Sequence, residues 1–572
     1  MGANTLEQTI ERIRQERAET QNETPEQLVE RIRIGEIASA TAQVVHRTSA
    51  ERREAVLAMV EKPLVELVSA GSDETRRSVL AFYTKLALDL GSVLPAWSDG
   101  PEVDVSRPAR LACSALESLE KRVPDVAAEL HFATKLEVAA RLRAEAVSDE
   151  SDVARFTREL TGARLTDYVE AMWDEMGSSN MRHVTESKLA GASATTLGND
   201  YAAFLEHALR LGASSETTNP VLIKMAWELD RAGWDDKIDN IISATFEKDQ
   251  LRGLVEGSES ERVVAVHRIN TLITIAVVEE NCRLLRDLFL ITEGREGYVN
   301  LQVNPENYHD ADTMVKEAED VYAELERRLG GVPNVVIKLP STPAGKEGAA
   351  RLTAQGIGVT MTLTFSMFQA IEVAEAMRDA TALVSNIAIM NGRLANPVRD
   401  ELVADGVQGG AEAARWSGVA VARKIFRKLY GTGGLGIDND RIRLLVASLR
   451  IYDDWLPDIT ELWNVPAITI FPNVRRAFDA RPRPFDARSI EKETPAEALQ
   501  TLFSSEIFRQ AYWWSSDNES DAKPKNVLSL DSAAAEAVAT WAPVKQTLNQ
   551  FIDEYHKMGD MVTQRMARLA GL

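Results

Sequence analysis

Val335-Val336-Ile337-Lys338-Leu339-Pro340-Ser341-Thr342 is the stretch that decides the fold. Apolar residues flank the lysine on both alternating faces. Such a run reads as a strand of a parallel sheet covered on both sides. A lone ammonium in that setting is costly unless it is used. Desolvation favours the neutral amine, the form that condenses with a carbonyl to give a Schiff base. The plainer alternative is a lysine on an edge strand whose head snorkels to water.

Working outward, short β-rich runs alternate with longer helical ones. The strand candidates are Ala192–Leu197, Ala213–Thr218, Tyr298–Val303, Val335–Leu339, Val359–Phe365, Ala382–Met390, Arg443–Leu449 and Ala467–Phe471. Eight such units predict an α/β chain with a (β/α)8 TIM barrel, typically ~250 residues before insertions. The barrel is expected over residues 191–478. Residues 1–190 read as an all-α N-terminal domain, in which Thr24-Pro25-Glu26-Gln27 fits a capping box and Pro95, Pro101 and Pro108 mark a loop. Residues 479–572 read as a helical C-terminal extension, with Thr494-Pro495-Ala496-Glu497 as a second capping box.

Composition narrows the function. The formal net charge of -22 argues against nucleic acid as a partner, and no Lys/Arg block makes a basic face. Two cysteines, Cys113 and Cys282, cannot form a disulfide framework, so a reducing compartment is expected. The segment Met1 to Arg17 lacks an apolar core of the kind a signal peptide carries, and no run approaches the ~18 apolar residues of a membrane span. A soluble cytoplasmic protein is the expectation. The seven histidines show no metal-ligand spacing. No Gly-x-Gly-x-x-Gly follows a strand, so no nicotinamide cofactor is implied.

In a barrel the C-terminal ends of the strands build the active site. Lys338 lies near such an end. Ser385 and Arg393 are assigned to the end of the sixth strand, and Ser448 and Arg450 close the seventh. Arginine offers a planar fork of donors and serine a hydroxyl, a set that suits a phosphate. The alternative for each arginine is a salt bridge to one of the many carboxylates.

The stretch Val335–Ser366, with Gly356-Ile357-Gly358-Val359-Thr360-Met361-Thr362-Leu363-Thr364-Phe365-Ser366 as its second half, resembles the lysine strand and following strand of the transaldolase family. Glu216-Thr217-Thr218-Asn219-Pro220-Val221-Leu222-Ile223 is similar to that family's TTNPS segment. Gly297-Tyr298-Val299-Asn300-Leu301-Gln302-Val303-Asn304-Pro305 resembles its third strand, and Val446-Ala447-Ser448-Leu449-Arg450 its GASFR segment. These segments stand in the family's order from about Ala192 to Phe471. The resemblance implies the same barrel, and it implies roles. Lys338 would form the Schiff base, Asn219 and Ser385 would hold substrate hydroxyls, and Thr362 would orient the catalytic water. Ser448, Arg450 and Arg393 would bind a sugar phosphate.

The departures from the family are specific. Gln302 stands where the family usually has a glutamate. A carboxamide can hydrogen-bond a water but cannot take its proton. Related fructose-6-phosphate aldolases also carry glutamine there, with a tyrosine on the fifth strand that is Phe365 here. Thr360 replaces the family's asparagine as a substrate contact. The family's first-strand aspartate, a proton acceptor in the aldol step, has no clean match in Thr195-Thr196-Leu197-Gly198-Asn199-Asp200; Asp200 stands a few residues later, and Asp200 and Glu216 are the alternative bases. Both carboxylates are otherwise solvated or capping groups. The implied activity is that of an aldolase or transaldolase-type transferase of the pentose phosphate kind, acting on a phosphorylated ketose without metal or organic cofactor. The rival reading is a repurposed barrel with altered chemistry, or one that binds a partner.

Overall fold

The computed structural model describes residues 5–20, 23–531 and 535–572. Eight parallel strands close into a barrel in chain order. They are β1 (Thr196–Asn199), β2 (Ala213–Thr217), β3 (Tyr298–Gln302), β4 (Val335–Pro340), β5 (Val359–Thr364), β6 (Ser385–Met390), β7 (Ile442–Ala447) and β8 (Ala467–Ile470). The (β/α)8 expectation holds.

The reason is visible in β4, whose six residues are all buried. Val335, Ile337 and Leu339 face the surrounding helices and join the main hydrophobic core. Burying each such side chain contributes roughly 1.5–3 kcal/mol. Lys338 shares the opposite, inward face. Its register partners are Gln302 on β3 and Thr360 on β5, and Thr360 in turn pairs with Asn386 on β6. Thr360 donates to the Asn300 side chain of β3, a bond that skips β4 and therefore crosses the lumen. The strand stops at Pro340 because the chain turns at once into a helix. Thr342 caps that helix, accepting from the Gly345 amide at 3.1 Å. Any side chain at Gly345 would collide with the Pro340 carbonyl.

Strand limits differ from expectation where other bonds take the backbone. β1 begins at Thr196, not Ala192, because Ala194 donates to the Asn464 side chain (2.7 Å) and Thr195 to the Ser193 hydroxyl (3.1 Å). β6 begins at Ser385, not Ala382, because the Ala382 amide bonds Thr353 O at 3.2 Å outside the ladder. β7 ends at Ala447, and Ser448 follows in the left-handed region with φ 61°.

Helices from Leu6 to Leu189 precede the barrel. The capping box at Thr24 forms as expected. The proline region is partly helical, with helices Leu94–Asp99 and Ser106–Arg122 taking in Pro95 and Pro108. Buried ion pairs tie this part to the barrel: Arg210 to Asp89 at 2.7 Å and Arg475 to Glu145 at 2.7 Å. Beyond β8 the chain is again helical. The second capping box does not form, because Pro495 stays extended and itself precedes the helix Ala496–Leu502. The helix Ala542–Ala570 then returns across the barrel. Among the described residues no helix is long and apolar enough to cross a membrane, and no group of three or more His, Cys, Asp or Glu could hold a metal ion. Cys113 and Cys282 are buried and unpaired.

Candidate active site

Lys338 is 4 % exposed, and its Nζ donates to the Thr218 carbonyl at 3.2 Å. Burial lowers its pKa to about 8, with Arg393 pushing the same way and Asp200 opposing. About a tenth of the side chain is therefore neutral at pH 7, far more than for a solvated lysine, and the neutral amine is the nucleophilic form. Asp200 follows β1 directly, its amide bonded to Ile470 O at 3.1 Å. Burial raises its carboxyl above the usual range, although Lys338 and Arg393 pull it back. A carboxyl so placed suits proton transfer.

Around the lysine the inward faces are polar. Asn386 donates to the Thr360 hydroxyl at 3.0 Å, Thr360 donates to Asn300, and Asn300 donates to Glu216 O at 2.7 Å. Thr360 is wholly buried and already engaged on both sides. The register sets it beside Lys338 as part of a fixed inner network. Thr362, one inward position further along β5, has its hydroxyl 3.9 Å from the Met390 sulfur. The Gln302 Oε1 is buried with no hydrogen-bond partner among the described residues. An unmet acceptor in a polar lumen is a place for a water or a substrate hydroxyl.

Above this floor lies a cavity of about 480 Å³. Asp200, Asn219, Arg393, Ser448 and Arg450 line it, with Phe471 on one side. Asn219 caps the helix Pro220–Leu229 by accepting from Leu222 N at 3.1 Å. The two arginines form no ion pair among the described residues. Arg450 donates to the main-chain carbonyls of Ser448 and Leu449, each at 3.2 Å. Its own amide donates to Asp458 at 2.8 Å, a buried carboxyl raised to about 6 by desolvation. Arg393 donates to the Gln550 side-chain carbonyl and lies 5.7 Å from the Phe551 ring centre. Burial, then the charge of Arg450, lowers its pKa to about 10. Gly392 permits this convergence. Its amide donates to Ser448 O at 3.1 Å, and a side chain there would collide with Ser448 O and Arg450. The result is two adjacent guanidiniums that form no direct ion pair among the described residues, with the carboxyls of Asp200 and Asp458 close by, an arrangement that leaves both forks of donors open to an anionic ligand.

Of the residues proposed from sequence, Asp200, Asn219, Arg393, Ser448 and Arg450 meet at one cavity, and Gln302, Thr360 and Thr362 lie on the inner faces of strands around Lys338. Ser385 does not join them. It opens β6 and pairs with Ile442, the first residue of β7, which puts it at the opposite mouth. There its hydroxyl accepts from Val359 N at 3.3 Å. Glu216 is neither solvated nor capping. It is 0 % exposed and accepts from Asn281 of the helix Glu259–Ile291 at 2.8 Å. Lying outside the lumen and desolvated, its carboxyl is raised well above the usual range. Phe365 packs on Trp541, with ring centres 6.3 Å apart. Sequence reading missed Asn300 and Asn386, whose even spacing along inward faces was a usable signal. It also missed Asp458, Gln550 and Phe551, which carry none.

A family model described as transaldolase/fructose-6-phosphate aldolase matches residues 194–523. A transaldolase of Thiobacillus denitrificans is 30 % identical over 181 residues, 29 % of this chain and 48 % of that protein. One from Acidothermus cellulolyticus is 31 % identical over 194 residues, 32 % of this chain and 48 % of its own length. One from a Parafrankia species is 27 % identical over 247 residues, 39 % and 64 % of the two chains. The chain thus spans about half the length of the first two relatives.

Proposed function

Because the chain belongs to the transaldolase/fructose-6-phosphate aldolase family, we propose that it makes or breaks a carbon–carbon bond of a phosphorylated ketose through a Schiff base on Lys338. The observation that carries this reading is a buried inward-facing lysine with a pKa of about 8, close enough to Asp200 and Arg393 to feel both charges. The neutral Nζ attacks the ketone carbon, and the carbinolamine loses water to give an iminium. That iminium accepts the electron pair of the breaking carbon–carbon bond, leaving an enamine and releasing an aldehyde. Reversal with a second aldehyde transfers the fragment. Asp200 takes the hydroxyl proton as the bond breaks. Gln302 and Thr362 hold the water, and Asn219 a substrate hydroxyl. Arg393, Ser448 and Arg450 grip the phosphate, which positions the ketone over the lysine. Residues 191–478 act as the catalytic unit, with residues 1–190 and 479–572 as helical units around it.

A second reading is an altered reaction on a specialised substrate. It is favoured by Gln302, whose carboxamide cannot carry a proton as a glutamate would. Borohydride trapping with fructose 6-phosphate, read by intact mass and peptide mapping, tests the main proposal. The wild type should gain a reduced adduct on Lys338, and Lys338→Arg should gain none. An adduct retained in that variant, or a wild type that traps no ketone, would sink the Schiff-base assignment.

A further inference from the structure

The helix Ala542–Ala570 lies beyond the family-matched residues 194–523, yet it reaches the catalytic mouth. Just before it, Trp541 packs on Phe365 and Phe368, with ring centres 6.3 and 6.0 Å away. Within it, Gln550 and Phe551 meet Arg393. Glu554 pairs with Lys224 at 3.4 Å, on the helix that Asn219 caps. His556 meets Glu306 at 2.8 Å, four residues past the end of β3. Further along, Arg565 bonds Asp235 at 2.6 Å. The helix is thus fixed at several points around the ends of β2, β3, β5 and β6.

We propose that Gln550 is a positioning residue for the anion site, holding the Arg393 guanidinium toward the cavity while leaving its charge uncancelled. Phe551, 1 % exposed, supplies the ring face against which that guanidinium lies. The choice of acceptor matters. A carboxamide oxygen accepts a hydrogen bond without neutralising the donor. Arg450 is held in the same manner, by two main-chain carbonyls. A carboxylate in place of Gln550 would keep the hydrogen bond and lower the positive potential that attracts the phosphate. The inference rests on the phosphate reading of Arg393, and it gives this part of the C-terminal extension a role in substrate selection.

The test compares wild type, Gln550→Ala and Gln550→Glu by calorimetric titration with inorganic phosphate and with fructose 6-phosphate. Gln550 is exposed, so both variants should fold, which thermal melts verify. A typical hydrogen bond contributes a factor of roughly 3–10. Gln550→Ala should weaken phosphate binding by about that factor. Gln550→Glu should weaken it at least as much, and the deficit of Glu relative to Ala should shrink in high salt. Half-saturation of trapping by dihydroxyacetone, which has no phosphate, should not move. A Gln550→Glu protein that binds phosphate like wild type while Gln550→Ala is impaired would reduce Gln550 to a structural hydrogen bond and overturn the proposal. So would equal losses for both ketones, or no phosphate binding by wild type. Phosphate binding that depends on Gln550 without any trapped adduct would leave this inference standing and remove the Schiff-base reading instead.

Discussion

At the mouth where the strands begin, Arg443 donates to Glu296 at 3.1 Å and to the Arg295 carbonyl at 2.8 Å, and Ser214 donates to the same Glu296 oxygen at 3.0 Å. Both charged side chains are below 10 % exposed and each satisfies the other. At the mouth where the strands end, the guanidinium groups of Arg393 and Arg450 hydrogen-bond only neutral acceptors, Lys338 meets a carbonyl, and among the described residues the Gln302 oxygen has no partner. Buried Arg443 and Glu296 thus neutralise each other at one end, whereas at the other Lys338, Arg393 and Arg450 form no ion pair among the described residues. Barrels of this class divide stability and chemistry between their two faces in that way. An unpaired buried acceptor is costly, so the Gln302 oxygen beside Lys338 marks a place where a ligand or water completes the set.

That contrast can be broken from either side. Glu296→Ala strands a buried guanidinium, and removing one partner of such a pair costs roughly 3–5 kcal/mol of stability. Urea unfolding should report that loss, while trapping at Lys338 per folded molecule stays constant. A small loss of stability, or an equal loss of trapping, would erase the distinction between the mouths. Arg450→Ala is the converse. It should weaken binding of a phosphorylated ketone by about 2–3 kcal/mol, with stability changed by less than in Glu296→Ala and an unphosphorylated analogue unaffected. Equal effects on both ketones would make Arg450 structural.

The smallest expected effect is in pH. A lowered lysine pKa means the neutral amine persists to lower pH, and its fraction falls tenfold per unit below the pKa. The initial rate of adduct formation should therefore rise about tenfold from pH 6 to 7 and level off above about 8. A rise continuing to pH 10 would describe an ordinary solvated lysine. Asp200→Asn removes an anion that helps keep the proton on Lys338, so the midpoint should move down.

The barrel was legible because β4 is an apolar run broken only by Lys338 before its closing proline, and β5 alternates Val359, Met361 and Leu363 with three threonines. The arginine cluster was legible in part. Arg450 follows a short motif, but nothing local says that Gly392 brings Arg393 against it. Ser385 was misplaced because the apolar run begins at Ala382, and only the pairing with Ile442 shows which end of β6 it occupies. Glu216 read as solvated because an unpaired acid on a strand is expected to face water. Its partner, Asn281, lies 65 residues away. Gln550 and Phe551 sit 157 and 158 residues beyond Arg393 in an amphipathic helix, where their spacing reports only helix. Local patterns record periodicity and turn chemistry; contacts between distant segments leave no such trace.

The place of the helix Ala542–Ala570 in the chain has a consequence in time. Lys338 emerges from the ribosome on the order of 200 residues before Gln550, which at ordinary synthesis rates is roughly 10–40 s. During that interval the strands of the barrel can pair and the lysine can be buried, but Arg393 has no Gln550 or Phe551 to lie against. The nascent chain therefore buries Lys338 well before Arg393 acquires its neighbours from the last helix, and the setting of Arg393 is the last part of this mouth to mature.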